Sequence, residues 1–203
     1  MTVLKATKDN IKVAAKIIKK GGIVAFPTET VYGLGCAPLN IQAVQRLLTV
    51  KGDRKKPLPV LVSNLNVATK IAQISADTKK LATIFWPGPL TMVLPKKRRI
   101  SDVVTFGLNS VGLRVPNNKV ALKLIELSGG FLIGSSANLT GEKPPRSILE
   151  MSEKLKQKID LVLESEAPSK GTASTVVDLT ADKPKILRKG PISLEQIQKT
   201  LNS

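Results

Sequence analysis

Gly22-Ile23-Val24-Ala25-Phe26-Pro27-Thr28-Glu29-Thr30-Val31-Tyr32-Gly33-Leu34-Gly35 begins as an unbroken apolar run and ends as a polar, glycine-bearing loop. An apolar run after a glycine reads as a short buried strand, and Pro27, which cannot donate to a sheet ladder, stops it. What leaves the strand is a pair of hydroxyls (Thr28, Thr30), a carboxylate (Glu29) and flexible backbone. In α/β sheets, ligands settle just beyond the carboxyl ends of strands. The loop therefore has two readings. It is either an ordinary strand-to-helix connection whose threonines satisfy backbone groups, or one wall of a small polar site.

Outward from this segment, helices and strands mix without strict alternation. Upstream, Ile11, Ala14, Ala15, Ile17 and Ile18 recur at helical spacing over residues 8–20, and Gly21 is placed to end that helix. Downstream, Asn40 caps a helix carrying Ile41, Val44, Leu47 and Leu48 that ends near Gly52. Leu58–Val62 reads as a strand, followed by helices over 65–73 and 76–85 and the rigid turn Trp86-Pro87-Gly88-Pro89. Strands at Leu90–Leu94 and Val111–Val115 flank a basic loop expected to be mobile. A helix over 118–128 feeds a strand at Phe131–Gly134. A helix near 147–157 precedes strands at Ile159–Leu163, Thr175–Leu179 and Lys185–Arg188. Ser193-Leu194-Glu195-Gln196 fits a capping box for the last helix. The pattern predicts a single α/β domain over residues 1–203, built on a twisted mixed β-sheet flanked by helices.

Composition limits the chemistry. The chain has 203 residues, no histidine and one cysteine, Cys36. An internal disulfide framework is excluded, as are Ser-His-Asp hydrolysis, Cys-His nucleophilic chemistry and nearly every zinc site. Chemistry must run on Lys, Arg, carboxylates, hydroxyls and backbone amides, with any magnesium held by the substrate. A net charge of +17 favours anionic partners such as nucleotides or nucleic acid, or simply marks a lysine-rich soluble surface. Aromatic residues make up 3%, so base-stacking platforms are scarce. No segment approaches the roughly 20 apolar residues that span a bilayer, and no signal-peptide block opens the chain, so a cytoplasmic protein is expected.

Further polar segments lie near strand ends. Val50-Lys51-Gly52-Asp53-Arg54-Lys55-Lys56-Pro57 places cations at a helix C-terminus, which suits the helix dipole or a phosphate clamp. Gly134-Ser135-Ser136-Ala137-Asn138 is a run of small residues that lets a ligand reach backbone amides, without P-loop or dinucleotide-fold spacing. Arg114, inside an apolar strand, is either at a sheet edge or holding a buried carboxylate. Ser174-Thr175 opens one strand and Arg188 closes another. Together these segments supply hydroxyls and cations, a set suited to anion and nucleotide binding.

FPTETVYGLG (26–35), WPGPLT (86–91), VGLRVP (111–116), SSAN (135–138), STVVDL (174–179) and LRKGP (187–191) occur in one order across the chain. This ordered set, from about residue 8 to residue 200, closely resembles the YrdC/TsaC family of threonylcarbamoyl-adenylate synthases. The resemblance implies a YrdC-like domain with a concave basic cleft. It also implies a reaction in which L-threonine, bicarbonate and ATP give threonylcarbamoyl-AMP and pyrophosphate. A downstream threonylcarbamoyl transferase complex would then modify the adenosine beside the tRNA anticodon. Carried onto this chain, L-threonine would meet Thr30, Arg114, Gly134 and Thr175. ATP, bringing its own Mg²⁺, would meet Lys51, Arg54, Lys56, Ser110, Ser136, Asn138 and Arg188. No residue is assigned as catalytic, because the implied mechanism works by positioning.

The chain departs from the family pattern in places. Asp53 stands where the family commonly has arginine, so Arg54, and secondarily Lys56, is the expected phosphate ligand. Leu61 replaces a histidine of some members, and Pro144 replaces a serine. The second, Rossmann-like domain of longer relatives is expected to be absent. Two other readings compete: a non-catalytic module for double-stranded RNA or tRNA, and the carbamoyl-transfer domain of hydrogenase-maturation proteins.

Overall fold

The apolar stripe of the first helix explains where it packs. Ile11, Ala14, Ala15 and Ile18 are the buried face of α1 (Lys8–Lys19), whose N-terminus is capped by the Thr7 side chain accepting from Asn10 N. Gly21 follows at φ 89°, a left-handed position that glycine adopts without a Cβ penalty. The structure is a computed structural model and describes residues 2–53, 56–165 and 169–202.

Before and after α1 come the strands β1 (Thr2–Lys5) and β2 (Val24–Phe26), then β3 (Gly33–Gly35), α2 (Ile41–Lys51) and β4 (Val60–Val62). The middle of the chain gives α3 (Leu65–Ala68), α4 (Ala76–Phe85), β5 (Leu90–Pro95), α5 (Asp102–Thr105), β6 (Ser110–Arg114) and α6 (Lys119–Leu127). The last part gives β7 (Phe131–Ile133), β8 (Ser135–Ser136), a 3-10 turn (Ile148–Glu150) and α7 (Glu153–Lys156). It ends with β9 (Leu161–Glu164), β10 (Thr175–Asp178), β11 (Lys185–Arg188) and α8 (Leu194–Asn202).

These strands form two mixed sheets where a single sheet was expected. The first has five strands in the order β1-β9-β2-β3-β8, and the second has six in the order β11-β10-β5-β6-β4-β7. Parallel pairs (β1 with β9, β2 with β9, β5 with β10, β4 with β6) sit beside antiparallel ones (β2 with β3, β5 with β6, β10 with β11). The apolar faces of α1 and α6 close one core over Val24, Phe26, Leu132, Leu161 and Leu163. A larger core gathers Tyr32, Leu47, Val60, Leu81, Met92, Leu113 and Val162 between the sheets and the remaining helices.

Local chemistry accounts for several element ends. Ser193 N donates to Gln196 Oε1 (2.8 Å) and Gln196 N donates to Ser193 Oγ (3.1 Å), the reciprocal capping box read from the sequence. Asn40 and Asn118 accept from the Ala43 and Ala121 amides at the starts of α2 and α6. Where the sequence suggested one helix near 147–157, the backbone turns extended at Met151 and restarts at Ser152. The basic segment after β5 is fastened rather than open. Lys97 N donates to Ile71 O (2.8 Å), Lys97 Nζ donates to Thr69 O (2.7 Å), and Lys96 pairs with Asp102.

Candidate functional site

Strand alternation builds the floor of the site. Along β6, Val111 and Leu113 point into the core, so Ser110, Gly112 and Arg114 face the other way. The same parity puts Thr91 and Val93 of β5, and Val176 and Asp178 of β10 with the preceding Ser174, on that face. The result is a cleft of about 420 Å³. Leu58, Pro59 and Leu61 extend its apolar floor, and Thr30, Gly134, Ser135 and Ser136 form the opposite wall. Among the described residues, its charged ones are Lys56, Arg114, Arg188 and Asp178. A smaller hollow of about 270 Å³ beside Trp86 and Asn64 is lined by no charged side chain, so the chemistry-bearing groups concentrate in the larger cleft.

Arg114 lies in an interior strand of its sheet, between β5 and β4, which excludes the sheet-edge reading. Its guanidinium is almost wholly buried, 2.8 Å from Glu29 Oε2, and its Nη2 donates to Thr30 Oγ1 at 3.1 Å. Burial pulls this guanidinium below the ordinary arginine range, and the Glu29 charge opposes that shift. Thr30 is held from behind. Thr28 Oγ1 bonds Thr30 Oγ1 (2.9 Å) and donates to Val31 O (2.7 Å), which folds residues 28–31 into a tight turn. Backbone from beyond β9 straps this turn, with Lys170 N donating to Glu29 O (3.2 Å) and Gly171 N to Thr30 O (2.7 Å).

Arg188 comes from β11. Its Nε donates to Ser174 O and its Nη2 to Ser174 Oγ, both at 2.9 Å, while Ser174 Oγ also bonds Thr91 Oγ1 at 2.8 Å. Burial first, and then the like charge of Arg114, push the Arg188 guanidinium below its usual range. Two arginines thus share one cleft, each steadied by a hydroxyl, in surroundings that favour an anion between them.

The structure brings Thr30, Arg114, Gly134, Lys56, Ser110, Ser136 and Arg188 to this cleft. It puts three other sequence candidates elsewhere. Thr175 is fully buried on the far face of β10, where its hydroxyl donates to Ile192 O (2.8 Å) and accepts from Ile192 N (2.9 Å); Ser174 has the cleft position beside it. Lys51 is also buried, and its Nζ donates to the carbonyls of Ser136 (2.7 Å) and Asn138, pinning the small-residue loop from behind. Asn138 Nδ2 donates to Leu139 O (2.8 Å) and Glu142 O (2.7 Å), an intraloop role. Arg54 lies outside the described residues. The sequence reading did not select Thr91, Gly112 or Asp178, although their parity with Arg114 and Ser174 along three paired strands would have pointed to them.

The Sua5/YciO/YrdC family, described as telomere recombination, matches residues 16–190. A threonylcarbamoyl-AMP synthase of Pyrococcus abyssi is 41% identical over 193 residues, covering 94% of this chain and 57% of the relative. A second of that name, from Bacillus subtilis, is 35% identical over 198 residues, covering 96% and 57%. The chain therefore spans a little over half the length of these curated relatives. Among solved structures, the crystal structure of P. abyssi Sua5 complexed with L-threonine superposes with a TM-score of 0.92 at 39% identity, covering 98% of this chain and 59% of that one. Sequence match, fold and the ordered motifs around the cleft agree: the chain belongs to the Sua5/YciO/YrdC family.

Proposed function

We propose that this chain is an L-threonylcarbamoyladenylate synthase, a nucleotidyltransferase that condenses L-threonine, bicarbonate and ATP to threonylcarbamoyl-AMP and pyrophosphate. The observation that carries the reading is the pair Arg114 and Arg188 on one cleft, with Thr30, Ser174 and Thr91 supplying hydroxyls between them. Homologues bearing the synthase name and a relative's structure complexed with L-threonine support it. In this reading the amino-acid carboxylate lies on Arg114 and Thr30, and the phosphates face Arg188, Lys56 and Ser136. Adenine and ribose cover the apolar floor of Val93, Val176 and Pro59.

Much of the protein's contribution is positional and electrostatic. Holding the amine beside bicarbonate turns a bimolecular encounter into a local one, and fixed cations offset the charge that develops as the carbamate oxygen attacks the α-phosphate. Mg²⁺ would enter on the phosphates of ATP and neutralise part of their charge; among the described residues of the cleft lining, Asp178 offers it a carboxylate. The product would pass to a transferase that modifies tRNA. The test is incubation of the purified 203-residue chain with L-threonine, bicarbonate and Mg²⁺-ATP. Pyrophosphate and threonylcarbamoyl-AMP should form together and only when all three substrates are present. Absence of both would refute the reading.

A further inference from the structure

Among the described residues, two carboxylates come within 3 Å of an arginine nitrogen, and they do so differently. Asp160 grips Arg46 through both oxygens (2.6 and 3.0 Å) and accepts from Ile23 N at 2.7 Å, so its acceptor capacity is used by aligned donors. Glu29 stands 2.8 Å from Arg114 Nη2 with 15% of its side chain exposed, yet both of its oxygens are buried with no hydrogen-bond donor aligned on them among the described residues. Arg114 Nε is likewise buried without an acceptor among the described residues. A carboxylate placed only to orient an arginine would take the Asp160 arrangement, because burying a charge without hydrogen bonds is costly. Nor does Arg114 dictate where Glu29 sits. The turn made by Thr28 and the strap from Lys170 and Gly171 fix its backbone independently.

An ion pair with acceptor capacity left on its anion and an N–H left on its cation matches an α-amino acid, which carries ammonium and carboxylate on one carbon. We propose that Glu29 receives the α-ammonium of the amino-acid substrate and removes its proton, so that the amine can be carboxylated while Arg114 holds the carboxylate. This rests on the reading of the site as one that joins an amino acid to bicarbonate.

The step balances. The ammonium gives one proton to Glu29. The free amine bonds the bicarbonate carbon, the bicarbonate C–OH bond breaks, the hydroxyl leaves as water with the second amine proton, and the product is an N-carboxylate. The charges of the cluster follow the same course. Before reaction Arg114, Arg188 and Glu29 sum to one positive charge, facing a neutral zwitterion and one bicarbonate. Afterwards neutral Glu29 leaves two arginines facing the two anionic groups of the carboxylated amino acid. Both states are neutral overall, which a buried site requires. Among the described residues, the charged group paired with Glu29 is Arg114 from β6, and Arg188 from β11 bears on Arg114 as a like charge.

The experiment compares Glu29→Gln, which keeps shape and loses basicity, with the unaltered chain in two reactions. Forward pyrophosphate release at saturating substrates should fall by about 10²–10⁴-fold. Formation of ATP from threonylcarbamoyl-AMP and pyrophosphate involves no proton at the amino nitrogen and should stay within a few-fold. The forward deficit should shrink as pH rises towards the amino group's own pKa, where solvent does the work of the base, and Glu29→Asp should recover part of the rate. Equal loss in both directions, a pH-independent deficit, or no loss would each overturn the assignment. If the unaltered chain performs neither reaction, the synthase reading fails and the role of Glu29 fails with it. Thermal unfolding of both variants separates misfolding from lost chemistry.

Discussion

Arg188 and Ser174 are joined twice, through the serine carbonyl and through its hydroxyl, so one residue of β10's approach sets both the position and the direction of the guanidinium on β11. The two strands are antiparallel neighbours with an irregular register between Val176 and Val177, next to where Arg188 stands opposite Val176. Ser174→Ala keeps the carbonyl bond and deletes the hydroxyl that also reaches Thr91. The hydroxyl bond is worth on the order of 1 kcal/mol, or about a fivefold weaker apparent affinity for Mg²⁺-ATP. Titration of nucleotide binding checks this. L-threonine affinity should change less, because Arg114 and Thr30 keep their contact.

Arg114 separates charge from geometry. Arg114→Ala leaves Glu29 buried without its counter-charge, a loss of about 3–5 kcal/mol in comparable buried pairs. Removing the orphaned charge as well, in Arg114→Ala/Glu29→Gln, should restore much of that stability in urea unfolding. Arg114→Lys keeps a cation without the planar fork that reaches Glu29 and Thr30 together. It should fold, bind Mg²⁺-ATP nearly as well as the parent, and lose L-threonine affinity by tenfold or more, on the order of 1.4 kcal/mol. Equal losses for both ligands would contradict the placement of the amino-acid carboxylate.

Much of this architecture was legible in local sequence. The α1 stripe with Gly21, the Ser193 capping box and the apolar cores of β4, β5 and β6 all follow from short-range rules. The division into two sheets was not, because it depends on non-local pairing: β9 inserts between β1 and β2, and β10 lies beside β5. β3 escaped notice because Gly33 and Gly35 read as loop, although each glycine is needed there. A Cβ at position 33 would sit 2.8 Å from the Phe26 ring, and one at 35 would sit 2.3 Å from Ile133 O. In the site, Ser174 and Thr175 are both hydroxyls, and only the parity of β10 shows which one faces the cleft. Lys51 was expected to face the phosphates of ATP from the C-terminus of α2. The carbonyls of residues 136 and 138 gave it a buried position instead.

Two glycines of the cleft should respond oppositely to alanine. At Gly134 a Cβ would fall 2.4 Å from Leu61 Cγ, a buried and branched atom that cannot swing aside, so Gly134→Ala should cost about 1–3 kcal/mol of stability. At Gly112 the nearest atoms are Thr91 Cγ2 at 3.3 Å and Pro59 Cβ at 3.8 Å, so a methyl group fits with slight adjustment. It would rise from the apolar floor where the nucleoside is placed. Gly112→Ala should therefore leave the melting temperature nearly unchanged and weaken ATP binding. A large stability loss at Gly112 with unchanged binding would contradict this picture of the floor.

Cys36 is fully buried, and burial pushes its thiol up to about 12, with Arg46 pulling weakly the other way. Thiolate is the reactive form, so the folded protein should resist thiol reagents at pH 8 and react only as it unfolds. The labelling rate in increasing urea should then track the unfolding transition seen by circular dichroism. Rapid stoichiometric labelling in native buffer would show that the core around Cys36 opens locally.

Asp160 gives the clearest pH signature. Its fork with Arg46 ties the residue before β9 to α2, and its bond from Ile23 N, paired with Asp160 N donating to Ile23 O at 3.0 Å, ties it to the strand that leads into the site. The Arg46 hydrogen bonds hold its carboxyl below the ordinary value of 3.8; burial, the next largest effect, opposes them, and the Ile23 amide adds to the lowering. A carboxyl whose pKa is lower folded than unfolded stabilises the protein above the unfolded value, and that stabilisation is lost as pH falls through the folded one. The contribution should be fully present from pH 7 down to about pH 5 and fade below about pH 4. Asp160→Asn keeps an acceptor for Ile23 and removes only the charge. Because Arg46 remains 45% exposed and solvent screens the pair, the cost at neutral pH should be about 1 kcal/mol. Measured in urea, whose neutrality leaves the ion pair unscreened, the gap between parent and variant should be flat from pH 7 to 5 and narrow steadily as pH falls below about 4. A gap that does not narrow at all as pH falls below about 4 would show that shape, not charge, is what Asp160 contributes.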